Sequence, residues 1–345
     1  MASSAKSSSS IAASVGNSNV AAFGDAPLRI GVIGAGVMGS NHARVLMGMP
    51  GIVPVGIADP DPANRQRATD LIGCPTFATY EAMLDSGIDA VTIAAPTHLH
   101  HEIALACLNR KIHVLVEKPI ATSAQEGHDI VAAAKRAGVT LMVGHVERFN
   151  PAVAAVRQAI QGEDILSIAI TRVGPFPPRM SNVGVVIDLA VHDIDLIRWF
   201  TGSDIVEVQP QLSSAVAERE DIALLQFRTA NGVLAHINTN WLTPFKARTV
   251  TVATRGKYVM GDLLTRQVTE CFGFQPDGSY SMRHLSVGQT EPLRAELQAF
   301  IDAIRSGDKP AVTGEEGVAS LEIAIQCLVP NGDAAISDKP RRAAV

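Results

Sequence analysis

The sequence has no cysteine pair at CxxC spacing, no apolar run long enough to cross a bilayer and no surplus of basic residues. Each absence removes a class of protein. Cys74, Cys107, Cys271 and Cys327 lie far apart, so buried, reduced thiols in a reducing compartment are expected rather than a disulfide framework or a zinc module. A membrane helix needs roughly eighteen consecutive apolar residues, and none is present. A net charge of -5 and a pI near 6.1 argue against nucleic acid as the main partner, although a local pair of arginines can still hold a small phosphate. No internal repeat is visible.

What is present fits a two-domain globular chain: 345 residues, 47% hydrophobic and 18% charged. Residues 1–26 are Ser/Ala-rich and nearly acid-free, and are expected to be a disordered tail. A plastid transit peptide shares that character, but Lys6 is the only basic residue of the segment and it has no arginine, so a cytoplasmic location is the first expectation. Residues 331–345 also read as a tail.

From Leu28 the runs LRIGVIG, VPVGIA, DAVTIAA, IHVLVE and VTLMVGH are apolar at consecutive positions, as strands buried on both faces require. Helical stretches separate them at Met38–Met47, Asp61–Leu71, His100–Leu108 and Ser123–Ala137. This alternation predicts a parallel sheet and a Rossmann domain over 27–146. The pattern then changes. A helix near Asn150–Gln161, the run LSIAITRV and a helix near Asp188–Phe200 lead into IVEVQPQL, DIALLQFRT, GVLAHINTN, ARTVTVATR, KYVMGDL and RQVTECF. These alternate apolar with polar, predicting a large, mainly antiparallel open sheet in a second domain over 147–330. Helices near Pro292–Ile304 and Glu315–Leu328 are expected to return over the junction.

Gly34, Gly36 and Gly39 have the GxGxxG spacing, follow a β-branched strand, open a helix, and precede by twenty residues an aspartate, Asp59, that ends the next strand. Together these predict a dinucleotide site. Gly34 permits the turn, Gly36 admits the pyrophosphate, Gly39 allows close packing, and the amides at Val37 and Met38 face the phosphates. Asp59 can accept from the ribose hydroxyls and would repel a 2′-phosphate, so NAD is favoured, with NADP the lesser alternative because Arg65 and Arg67 are close. Ala95, Pro96 and Thr97, at a strand-to-helix turn, are expected to touch the cofactor, with His100 structural or adjacent to it.

Two further stretches carry chemistry: Glu117-Lys118-Pro119 ending a strand, and Asp188, His192 and Asp195 at i, i+4 and i+7 of a helix. With the glycine loop, the E-K-P run and the D-x-x-x-H-x-x-D run resemble the Gfo/Idh/MocA oxidoreductase family from about Leu28 to Leu328. The resemblance implies a catalytic group of Lys118, Asp188 and His192, Glu117 beside the nicotinamide, a cis peptide before Pro119, and homodimers or homotetramers that pair the open sheets. The residues suit the chemistry. His192 can take a hydroxyl proton, Lys118 can stabilise the developing alkoxide, and Asp188 can orient the imidazole or bind a neighbouring hydroxyl. A metal held by Asp188, His192 and Asp195 is the competing reading; no metal is expected.

GHVERFNPAV, RVGPFPPRM and TNWLTPFKARTVTV resemble the branch of the family that oxidises C3 of UDP-N-acetylglucosamine. On that basis Arg148, Asn150, Arg172 and Arg179 are expected to flank the substrate, with an arginine pair on its diphosphate. The competing readings are salt bridges for the arginines and, for Asn150 before Pro151, a helix N-cap. A free polyol or aldose dehydrogenase is the alternative activity, and a cofactor-sensing regulator without turnover the alternative class. One departure from relatives stands out: Asn109-Arg110-Lys111-Ile112 has no glycine where the preceding helix commonly ends in a left-handed residue.

Overall fold

The computed structural model describes residues 26–177 and 183–329. Both tails and Arg179 lie outside the described residues. The first sheet is built from β1 (Leu28–Ile33), α1 (Val37–Met47), β2 (Ile52–Ala58), α2 (Pro62–Ile72), β3 (Thr76–Phe77), α3 (Tyr80–Leu84), β4 (Ala90–Ile93), α4 (His100–Asn109), β5 (His113–Glu117), α5 (Ala124–Ala137) and β6 (Leu141–Gly144). Its strands are parallel and run in the order β3-β2-β1-β4-β5-β6. The order reverses between β1 and β4, which opens a crevice at the carboxyl ends of the strands. Short β3 and α3 were not foreseen, because two and five residues are too few to display a period.

The chain continues through α6 (Pro151–Ala159), β7 (Ile165–Pro175), a π turn (Val186–Ala190) that runs into α7 (Val191–Thr201), β8 (Ile205–Ser213), β9 (Ile222–Thr229), β10 (Leu234–Asn240), β11 (Leu242–Thr254), β12 (Lys257–Asp262), β13 (Gln267–Phe272) and β14 (Ser281–Leu285). The eight strands run in the order β14-β13-β12-β11-β7-β10-β9-β8, antiparallel except for the parallel pair β7–β10. One face carries Ala223, Leu225, Phe227, Val250 and Val252 into a core shared with α6 and α7, while Leu224, Tyr258 and Met260 stand exposed on the other. Strand β14 is exposed almost throughout, so its sequence shows no alternation to read.

Helices α8 (Pro292–Ser306) and α9 (Gly314–Cys327) turn back toward the first sheet. Leu297, Phe300, Ile301 and Ile304 of α8 are buried in the first core, and α9 contributes to both cores. The return brings Glu296 on α8 close to α1 and β5. No helix among the described residues is long and apolar enough to cross a membrane.

At the end of α4, Lys111 itself takes the left-handed conformation, with φ 60°. A side chain there crowds the backbone, and glycine does not. Lys111→Gly is therefore expected to raise stability by about 0.5–1 kcal/mol, after the larger entropy of the unfolded glycine is counted. A thermal midpoint unchanged or lowered in this variant would show that the exposed lysine contributes something the conformation does not reveal.

Candidate active site

The crevice is lined by the turns that follow β1, β2, β4 and β5. Gly34 has φ +100°, and a Cβ there would stand 2.6 Å from the Ala94 carbonyl oxygen. A Cβ on Gly39 would meet the Gly34 oxygen at 1.7 Å, so α1 can approach β1 only with glycine at that place. Gly36 faces nothing within 4 Å, and no side chain caps α1. The first amides of the helix, at exposed Val37 and Met38, are thus left free beside open space, as a bound pyrophosphate needs.

Asp59 ends β2 and is nearly buried, with Oδ2 accepting from the Ala35 amide at 2.7 Å and Oδ1 from the Asp61 amide at 2.9 Å. A carboxylate retains further lone pairs for a ribose diol. Arg65 is turned onto the Asp59 and Pro60 carbonyls, at 2.7 and 3.0 Å, and Arg67 onto Asn64, so neither is poised for a 2′-phosphate. Asp59→Ala is expected to narrow the preference for NAD, measured as the ratio of kcat/KM for the two cofactors. An unchanged ratio would remove Asp59 from cofactor choice.

After β4, Ala95, Pro96 and Thr97 remain open or partly open to the crevice side of the chain. His100 does not join them. It is buried, with Nδ1 3.0 Å from the Pro119 carbonyl and Nε2 2.9 Å from the Ala95 carbonyl. Both ring nitrogens face backbone carbonyls, of which a neutral ring donates to one, so His100 sits between two loops and not against open space for a cofactor. Burial pushes its pKa below the ordinary value, outweighing the carbonyls that favour charge.

Lys118, at the end of β5 and joined to Pro119 by a cis peptide, reaches across to the π turn. Its Nζ donates to the Asp188 carbonyl at 2.5 Å and lies 3.4 Å from Asp188 Oδ1. His192 follows one turn later. Its Nδ1 is enclosed without a partner, which leaves Nε2 as the nitrogen that solvent can reach. Burial comes first among the causes that hold the His192 pKa well below 6.5, followed by the cations Lys118 and Arg172, His145 and Arg248. The ring is therefore a neutral imidazole at neutral pH. His145, at the end of β6, meets it edge to face with centroids 6.1 Å apart. Sequence reading did not single out His145, although its position just past a strand end was a usable signal.

The helix-face expectation needs correction. Asp195 approaches the site through His145: its Oδ2 lies 3.8 Å from Nδ1 of that ring, which meets His192 edge to face. Asp195 is buried against Arg148, which donates to it through Nε at 2.7 Å and Nη2 at 2.6 Å. Asp188 faces Lys118 rather than the imidazole.

The arginines need a second correction. Arg172 is 2% exposed and is held by Asp193, at 2.7 and 3.0 Å, and by Glu147 at 2.9 Å. Arg148 is held by Asp195 and by Glu316 at 3.1 Å. Asn150 caps α6, accepting from the Ala152 amide at 3.0 Å and donating to the Leu263 carbonyl at 3.1 Å. All three are interior connectors between the turn 146–149, α7, α9 and the second sheet, and their burial keeps them from a diphosphate. Arg248 was missed. It stands opposite Arg172 in the register of β11 and β7, has one bond to Glu147 at 2.9 Å, and its side chain is 35% exposed. Nothing in the sequence distinguishes it from Arg172, because strand partners are a tertiary property.

Comparison with known proteins adds to this geometry. A family model described as "Oxidoreductase family, NAD-binding Rossmann fold" matches residues 28–145, and the "GFO/IDH/MocA C-terminal domain" matches residues 164–259. The chain is 28% identical over 309 residues to UDP-N-acetylglucosamine 3-dehydrogenase of Acidithiobacillus ferrooxidans, covering 88% of this chain and 96% of that one. It is 30% identical over 321 residues to inositol 2-dehydrogenase of Rubrobacter xylanophilus, covering 87% and 90%. Among solved structures, the Acidithiobacillus enzyme superposes with a TM-score of 0.81 at 27% identity, covering 87% of this chain and 96% of that chain. Levoglucosan dehydrogenase in complex with NADH and levoglucosan gives a TM-score of 0.77 at 23% identity, covering 87% and 96%, a likeness of fold.

Proposed function

The chain belongs to the Gfo/Idh/MocA family of NAD-binding oxidoreductases, and from that premise we propose that it oxidises the C3 hydroxyl of UDP-N-acetylglucosamine to the 3-keto sugar. The observation that carries the reading is the meeting of Lys118, Asp188 and a neutral His192 at the carboxyl edge of the first sheet, with half-open Arg248 on the adjoining sheet. Bound NAD supplies the hydride acceptor, and the open glycine turn with the free amides at Val37 and Met38 suits its pyrophosphate.

The chain's own residues account for the proton. The reacting hydroxyl donates its proton to His192 Nε2, and the ammonium of Lys118 donates to the oxygen as negative charge grows on it. Asp188 holds that ammonium in place and has a free oxygen for a neighbouring sugar hydroxyl. Arg248, rather than buried Arg172, is the guanidinium open enough to reach a diphosphate, which would fix the ring at a set distance from the nicotinamide. Oxidation of a free polyol is the second reading, favoured by the similarity to inositol 2-dehydrogenases.

The test is an assay with NAD and separate UDP-N-acetylglucosamine, inositol and glucose, the ketone being trapped with a hydrazine and identified by mass. Trapped 3-keto nucleotide sugar is the expected result; ketone from inositol or glucose alone would overturn it. Arg248→Ala should raise KM for the UDP-sugar by at least about tenfold, the scale of one lost charge-assisted bond.

We also propose that the open face of the second sheet pairs two copies of the chain. Leu224, Leu234, Tyr258 and Met260 are exposed there, apolar side chains that a second copy of the same face would cover. Light scattering that gives a monomer mass at micromolar protein would sink this.

A further inference from the structure

Next to Lys118 lies a buried cluster that the proton path above does not use. His42 on α1, Glu117 at the end of β5 and Glu296 on α8 are 0%, 7% and 0% exposed, and their polar atoms all lie within 4.8 Å of one another. His42 Nε2 is 2.9 Å from Glu117 Oε1, and the Lys118 amide donates to Glu117 Oε2 at 3.2 Å. Glu296 contrasts with both: its two carboxyl oxygens are enclosed and have no hydrogen-bond partner.

Apart from His42, whose Nε2 is taken up by Glu117, the described side chains offer Glu296 no cation. On α1, Arg44 is taken up by Glu291 at the surface. On the turn 146–149 that packs against α8, Glu147 and Arg148 are committed to Arg172, Arg248, Asp195 and Glu316. Around Glu117, the Lys118 ammonium is on Asp188, and His100 and His145 are buried rings whose pKa values burial lowers. Among the described residues, the charge that raises the Glu296 pKa is that of Glu117. Two ionised carboxylates at this spacing in a dry interior repel strongly, so one must hold a proton. Glu117 accepts from two N–H donors and is the anion. Glu296 accepts from none and is the acid, and burial together with the Glu117 charge pushes its pKa well above the ordinary value.

We propose that Glu296 is a neutral carboxylic acid at physiological pH, kept protonated by the enclosed site it shares with the Glu117 carboxylate, and that with His42 this acid pair is a positioning device that fixes Glu117 and the Lys118 backbone beside it. The proposal rests on the reading of Lys118 as catalytic for its consequence, though not for its chemistry. It gives the returning helix α8 a purpose beyond packing: it delivers an uncharged acid beside the Glu117 anion. A divalent metal ion is the rival occupant, since histidine and two carboxylates suit zinc. Yet zinc with bonds of about 2.0–2.1 Å holds its ligands roughly 3.3 Å apart in a tetrahedron. His42 and Glu117 are already closer, at hydrogen-bonding distance.

The test uses the full-length protein. Infrared difference spectra of the wild type against Glu296→Gln at neutral pH should show the C=O stretch of a protonated carboxyl in the wild type alone. Glutamine mimics the neutral acid, so Glu296→Gln should keep kcat within about threefold, whereas Glu296→Ala should lower it by roughly 10- to 100-fold, the scale of a misplaced catalytic group. Absence of the band, equal damage from glutamine and alanine, or a stoichiometric divalent metal that Glu296→Gln removes would each overturn the proposal. Should Glu296→Ala fail to fold, the infrared band and Glu296→Gln still decide. If Lys118→Met proves fully active while the band is present, the catalytic reading of Lys118 fails and the acid pair stands.

Discussion

Lys118→Met and His192→Asn should each slow turnover by roughly 10²–10⁴-fold, the usual loss when one acid–base group is removed. In the proposed mechanism both groups meet the reacting oxygen, so NADH binding, followed by fluorescence, should persist in each variant. The pH dependence adds a sharper check. Burial, reinforced by Lys118, Arg172, His145 and Arg248, disfavours the imidazolium of His192, so the base form survives below the ordinary value of 6.5. The acid limb of kcat/KM should therefore fall below pH 6.5, and in Lys118→Met any residual activity should show that limb moved upward, because one of the repelling cations has gone. A limb at or above 6.5 in the wild type would mean that another group takes the proton, and near-wild-type turnover in either variant would remove that residue from the mechanism.

Arg172→Ala should cost stability rather than substrate affinity. The guanidinium joins β7 to α7 and to the 146–149 turn, and burial, which opposes its charge, is outweighed by Asp193 and Glu147. Its removal leaves Asp193 buried without a counterion, and Glu147 with only the half-open Arg248. Breaking a buried pair in this way costs about 3–5 kcal/mol, far more than a surface pair is worth. Urea unfolding measures it, and the midpoint should fall steeply. A variant of normal stability with a raised KM for the UDP-sugar would instead restore Arg172 as a substrate anchor. Arg248→Ala is the contrasting variant. With one bond and partial exposure it should unfold near the wild-type midpoint, and its effect should appear in KM.

The elements that the sequence disclosed are those whose cause is local. Buried parallel strands display continuous apolar runs, amphipathic strands alternate, and the three glycines each answer a contact that any Cβ would violate or an approach that it would block. The same holds for Asn150, whose place before Pro151 wrote a helix cap that the structure contains. The left-handed Lys111 was legible only as a missing glycine, since the strain sits in the backbone and not in the residue type. Strand β14 was silent because both its faces meet solvent.

By itself, then, the sequence determined the parallel sheet, the open mixed sheet, the dinucleotide turn and the identity of the groups that can move a proton, because period, glycine spacing and side-chain chemistry are properties of neighbouring residues. Only the tertiary structure decided which of those groups meet. Packing set Asp188 on Lys118 and Asp195 on Arg148; strand pairing set Arg172 inside and Arg248 at the rim; and the return of α8 put Glu296 beside His42 and Glu117. Charge in a protein interior is governed by what packs against it from distant segments, and a one-dimensional pattern carries no record of that packing.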